Sequence, residues 1–141
     1  MRYLYIYMLG AVSYGALEIA FRGQTHWSML LAGGLYLTAI YAVSRRRKAS
    51  LWQLCLAGGG IITGVELAVG LVVNRLLGWN VWDYGDVPGN FLGQICPLYT
   101  ALWVLLTVPA LGLCRLADRQ IFQKGRERDG CAVHKGPPAR G

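Results

Sequence analysis

Apolar residues in this chain fall into four long runs, at about 3–21, 27–44, 51–77 and 91–114. Short polar stretches separate them, and a basic segment follows the last. Each run has about the 20 residues that a helix needs to cross the ~30 Å hydrocarbon core of a bilayer. The pattern predicts an all-α integral membrane protein with four transmembrane helices. A transmembrane domain is expected over 1–116. A basic tail follows over 117–141 and is expected to be disordered past about Gly125. Arg2 ahead of the first run also fits a signal peptide, but Glu18 interrupts the region where cleavage would fall.

The informative positions are the polar ones inside the runs. Glu66 lies in the otherwise apolar sequence LWQLCLAGGGIITGVELAVGLVV. A carboxylate there costs about 2.5 kcal/mol or more on insertion scales, so it is expected to face protein or a cavity rather than lipid. Gly59, Thr63, Glu66, Gly70 and Asn74 recur at helical spacing and form one small-and-polar stripe. Gly60 and Gly64 form a GxxxG pair beside it, and Gly33 and Gly34 permit close approach on the second run. Glu18 interrupts the first run. It lies four residues before Arg22, so the two share a helix face and are placed to pair. That pair reads either as part of a polar site or as an ion pair that seats the helix at the interface. Glu66 likewise reads as functional or as structurally paired.

The segment GWNVWDYGDVPG, at 78–89, is rich for a linker. Trp82, Asp83 and Tyr84 stand at its centre, and Gly85, Pro88 and Gly89 are turn formers. It reads as an ordered re-entrant or surface loop capping the bundle, or as an aromatic anchor with a solvated turn. If the fourth helix starts near 91, Asn90, Gln94, Pro97 and Ala101 share a face. Pro97 then kinks or breaks the helix, and Asn90 and Gln94 are placed to hydrogen-bond Glu66 or Asn74.

Composition supports the membrane reading. Hydrophobic residues make up 55% of the 141 and charged ones only 15%, against about 45–50% and 25% in soluble domains. The net charge of +7 is concentrated near Arg2, at 45–48 and in the tail. Placed inside, these clusters satisfy the positive-inside rule with four spans and both termini cytoplasmic. Basic residues at alternate ends of apolar runs give topology, and no nucleic-acid recognition module accompanies them. Cys55, Cys96, Cys114 and Cys131 form no CxxC pair, so neither a disulfide framework nor a zinc site is expected. No cofactor is expected. A weak repeat relates Ser13–Glu18 to Ile62–Glu66: each has a glycine shortly before an acid, then an arginine, a Trp-bearing loop and a second span. It implies two parallel helical hairpins, an arrangement whose interface often holds a transport site.

The segments YGALEIAFRGQTHWSMLLAGGLYL and VELAVGLVVNRLLGWNVWDYGDVPGNFLGQICPLYTALW, with their spacing, resemble the putative ABC-transporter type IV family. These are small bacterial membrane proteins often labelled ABC transporter permeases. The resemblance covers about 14–103 and is most specific at Trp82-Asp83-Tyr84, Pro88, Asn90, Gly93, Ile95 and Cys96. Gly85 and Gly89 depart from the family's pattern. The resemblance implies a protein of the bacterial cytoplasmic membrane. With no Walker motif in the chain, any ATPase is expected to be a separate subunit.

Three functions follow. The first is a permease component whose polar site or gate is made by Glu18 and Arg22, by Glu66 and Asn74, by Trp82, Asp83 and Tyr84, and by Asn90 and Gln94. Membrane lipid surrounds it, and a homodimer or an ATPase subunit completes it. The second is a non-transporting accessory or sensor protein whose loop binds a partner or a lipid headgroup, with basic segments favouring anionic lipid. The third is an intramembrane enzyme using His26, Asp83, Asp86, Glu18 or Glu66. No motif sets two of these at ligand or catalytic spacing, so no enzyme is expected.

Overall fold

A computed structural model describes residues 1–45 and 49–123. Residues 46–48 of the basic turn, and the tail for which disorder is expected, lie outside the described residues. Four helices follow in order: α1 (Arg2–Arg22), α2 (Trp27–Ser44), α3 (Leu51–Gly70) and α4 (Pro97–Ala117). α3 continues as a π-helical stretch, Leu71–Leu76, and α4 as another, Asp118–Gln123. All four are long and apolar enough to cross a membrane.

Local chemistry sets most of the ends. α1 stops at Gly23, whose φ of 72° is left-handed and whose N–H donates to the Ile19 carbonyl. α2 starts after His26, whose ring accepts from the Ser28 N–H. At the start of α3, Ser50 and Gln53 form a reciprocal capping box.

The fourth helix does not start near 91. It starts at Pro97, which occupies its first turn, where a missing N–H costs nothing. Cys96 is extended, at φ −150° and ψ 157°, as a residue before proline prefers. Pro97 therefore neither kinks nor breaks the helix. Asn90 and Gln94 lie in the loop and share no helix face with Ala101. The proline inside α4 is Pro109, which leaves the Leu105 carbonyl without its usual helical donor.

α1 packs on α2, α3 packs on α4, and α2 also contacts α3 and α4. α2 is the central helix: half of its apolar window is buried, against 22% for α1. The α1–α2 crossing is close because Gly10 faces Gly33. A Cβ on Gly10 would stand 2.6 Å from the Gly33 carbonyl oxygen. The core joins Ala32, Tyr36 and Ile40 of α2 to Leu54 and Ile62 of α3 and Trp103 and Leu111 of α4. The α1–α2 turn and the long α3–α4 loop meet at one end of the bundle. There Arg22 Nη2 donates to the Val81 carbonyl at 2.9 Å, and Trp27 and Trp79 make an edge contact with ring centroids 5.6 Å apart. At the other end Tyr41 donates to Asp118 at 2.8 Å, and Arg45 pairs with the same carboxylate at 3.5 Å.

Candidate functional site

The stripe on α3 faces protein. Gly59, Glu66, Gly70 and Asn74 are buried, and Thr63 donates to Thr100 of α4 at 3.2 Å. Gly60 and Gly64 are exposed on the opposite side, with no atom near the position a Cβ would take. Glu66 is 2% exposed. Its Oε1 accepts from the Tyr84 hydroxyl and its Oε2 from Trp103 Nε1, both at 2.8 Å. Among the described residues no Lys, Arg or His pairs with it. Two neutral donors therefore hold this carboxylate, one from α4 and one from the loop. Tyr84 stacks on Tyr99 of α4, with ring centroids 4.5 Å apart and planes 16° apart. Burial, and then the Glu66 carboxylate beside it, push the Tyr84 hydroxyl well above the ordinary phenol range, so it remains a donor at any physiological pH.

The loop that delivers Tyr84 is pinned from α3. Asn74 Nδ2 donates to the Trp82 carbonyl at 2.9 Å and to Gln94 Oε1 at 2.8 Å, and its Oδ1 accepts from the Val81 N–H at 2.7 Å. Trp82 is 6% exposed, and its indole donates to the Gln94 carbonyl at 3.1 Å. Gly70 leaves room for both residues: a Cβ there would lie 2.9 Å from the Trp82 ring. A second knot holds the tip. Asn90 Nδ2 donates to the carbonyls of Gly85 and Val87, and its Oδ1 accepts from the Gly93 N–H. Leu92 adopts a left-handed φ of 55°, unusual for a bulky residue. Its carbonyl receives Arg75 and the Gln94 side chain.

The expected site residues thus separate into three groups. Gln94 reaches Asn74 but not Glu66, and Asn90 reaches neither. Asn74, Asn90 and Gln94 use their amides on the loop itself. Glu18 and Arg22 pair at 2.7 Å, and Thr25 donates to the second Glu18 oxygen at 2.5 Å, so this pair closes the α1–α2 turn and ties it to the loop. Glu66 with Tyr84 forms the third group. Trp103, Tyr99 and Val81 were not singled out from sequence. Trp103 carried one usable signal: a tryptophan in the middle of a span is not at the interface, and a buried indole N–H needs an acceptor.

Asp83 stands on the outer side of the loop, accepting from the Gly85 N–H at 2.8 Å. With Arg75, Asn80 and Asn90 it lines a polar recess of about 560 Å³. Among the described residues, no three His, Cys, Asp or Glu side chains converge as metal ligands would.

A family model described as "Putative ABC-transporter type IV" matches residues 3–125. No curated protein and no solved structure matches the chain.

Proposed function

The chain belongs to the putative ABC-transporter type IV family, and from that premise we propose that it is a permease component of a bacterial cytoplasmic membrane, gated at Glu66. One observation carries the reading: a loop residue, Tyr84, reaches into the bundle and hydrogen-bonds a buried carboxylate that has no cation beside it among the described residues. Lifting the loop would remove one of the two donors on Glu66. The acid would then take a proton or a solute donor in its place. Arg75 and Asp83 give the recess outside the loop both signs of charge, as a first polar stop for a solute.

Both termini are placed in the cytoplasm and both loops outside. Four helices are few for a permease, so a second copy or a separate ATPase subunit completes the assembly. The weak repeat fits two hairpins entering from one side, with Glu18 and Glu66 as counterparts. Glu18 keeps an arginine and stays structural, whereas Glu66 has none among the described residues. No catalytic chemistry is assigned.

The test compares Glu66→Gln with the parent chain in cells. Loss of solute flux with an unchanged folded amount supports the gate, and unchanged flux removes it. Native mass spectrometry from gently extracted membranes is expected to show a nucleotide-binding subunit. The density of hydrogen bonds inside the loop favours a second reading, a static cap in an accessory or sensor protein. In that case Trp82 or Asp83 substitutions break a complex, and Glu66→Gln is nearly silent.

A further inference from the structure

The recess outside the long loop carries two opposite charges that do not satisfy each other. Arg75 and Asp83 both line it, yet among the described residues neither forms an ion pair. A backbone group holds each side chain instead. Arg75 Nη2 donates to the Leu92 carbonyl at 3.2 Å, and Asp83 Oδ1 accepts from the Gly85 N–H at 2.8 Å. The other guanidinium nitrogen of Arg75 and the other carboxylate oxygen of Asp83 have no protein partner among the described residues. Both residues are exposed, so a ligand in the recess can reach them.

The backbone around these two groups is unusual on both sides. Arg75 comes from the π-helical stretch Leu71–Leu76, and such turns are rare and often stand at functional sites. Leu92 holds its left-handed φ of 55° at a cost in free energy, and its carbonyl is the one that receives Arg75. Gly93 follows at φ 67°, and a Cβ there would stand 2.6 Å from Asp83 Oδ1. Asn80, the other non-glycine residue with a positive φ among the described residues, lines the same recess.

We propose that this recess binds a small zwitterion, with an acidic oxyanion on Arg75 and a primary ammonium on Asp83. The proposal rests on the reading of the recess as a solute's first stop and names the class of that solute. A plain anion would meet the Asp83 carboxylate there, and a plain cation the Arg75 guanidinium. A molecule with both charges meets a complementary group at each end. The lining decides for a primary ammonium, since Asp83 and Asn80 supply hydrogen-bond acceptors. A quaternary ammonium is recognised by aromatic faces, and Trp82, the aromatic residue on this wall, is only 6% exposed. The volume of about 560 Å³ holds roughly 18 water-sized units at about 30 Å³ each, enough for a small zwitterion and its water. The spanning stretch of α3 ends at Leu76, which puts Arg75 at headgroup level. The same chemistry is offered by a free solute and by the headgroup of an aminophospholipid.

The test titrates O-phosphoethanolamine, inorganic phosphate and ethanolamine into the full chain in maltoside micelles, read by saturation-transfer NMR. Phosphoethanolamine is expected to bind about fivefold tighter than either half alone, the upper end of what one exposed ion pair contributes. Asp83→Asn keeps an acceptor for the Gly85 N–H and removes the charge. It should weaken phosphoethanolamine by about the same factor without weakening phosphate. Arg75→Gln should weaken phosphoethanolamine and phosphate and spare ethanolamine, and Arg75→Lys should keep all three. A merely structural role would move the three probes together. Equal binding of the three probes would overturn the proposal, as would indifference of phosphoethanolamine to Asp83→Asn. Nanodiscs of phosphatidylcholine, with and without phosphatidylethanolamine, then identify the source. Displacement of the probe by phosphatidylethanolamine assigns the recess to a lipid headgroup, and undisturbed binding assigns it to a free solute. The gate is tested apart from this. No zwitterion preference with flux still dependent on Glu66 removes the recess alone, and zwitterion binding with flux indifferent to Glu66→Gln removes the gate alone.

Discussion

Glutamate and glutamine share a shape at position 66, but they offer different partners to the two donors that meet there. Trp103 Nε1 can only donate, whereas the Tyr84 hydroxyl can donate or accept. A glutamine can therefore turn its oxygen to Trp103 and its amide to Tyr84, which keeps one hydrogen bond to each. Glu66→Gln is expected to fold within about 1 kcal/mol of the parent, which makes its flux phenotype interpretable. Glu66→Leu strands both donors and should cost about 2–6 kcal/mol, at 1–3 for each buried group left unpaired. Denaturant unfolding in detergent micelles separates the two; equal losses would mean that the hydrogen bonds to Glu66 are not what holds it. Trp103→Phe, which removes one donor and one of the two fused rings, should fall between them. That Glu66 faces protein was legible in the sequence, because glycine, threonine and asparagine share its stripe. Its partners were not. Tyr84 arrives from a loop, and its reach depends on where that loop is pinned. Trp103 sits in an apolar run and looks like filler until its N–H is traced.

The long loop behaves as an element with its own hub, and Asn74 is that hub. Three bonds from one buried side chain fix Val81, Trp82 and Gln94. Asn74→Ala should cost about 2–3 kcal/mol or more, since several buried groups lose their partner together. Hydrogen exchange should rise across 81–94 and stay unchanged in α1 and α2. A uniform rise would show that Asn74 supports the whole bundle. Asn90→Ala should loosen only the tip, 85–93. The boundary of this element is where sequence reading failed. Phe91, Leu92, Ile95 and Cys96 continue the hydropathy of α4, so an apolar run alone extends the helix back to 91. The backbone decides otherwise. Proline disfavours helix in the residue before it and suits the first turn after it. The Phe91 N–H accordingly bonds the Ile95 carbonyl in a tight turn. Pattern marks an apolar stretch, and here it does not distinguish a spanning helix from a loop that caps the bundle. The four helices themselves were legible for the opposite reason: in a bilayer a spanning segment must satisfy its own backbone, so apolar length nearly determines structure.

At the scale of the whole molecule, one arginine joins the two hairpins. Arg22 holds Glu18 of its own helix with one nitrogen and the Val81 carbonyl of the long loop with the other. The α1–α2 turn and the α3–α4 loop are thereby committed to the same end of the bundle, and so to the same side of any membrane it crosses. Charge gives the expected side: Arg45, the first of a basic stretch in the sequence, lies at the other end of the spans, and basic loops favour the cytoplasm. Exposed positions give a direct check. Gln24 and Asn80 lie on the two linked turns and are exposed, whereas Cys55, Cys96 and Cys114 are buried and should stay silent. In intact cells an impermeant maleimide is expected to label Gln24→Cys and Asn80→Cys alike, and to reach the native Cys131 only after permeabilisation. Labelling of one turn without the other would break the link through Arg22. Labelling of Cys131 in intact cells, with both turns protected, would invert the molecule. The recess of Arg75 and Asp83 would then face the cytoplasm, and Glu66 would be gated from inside.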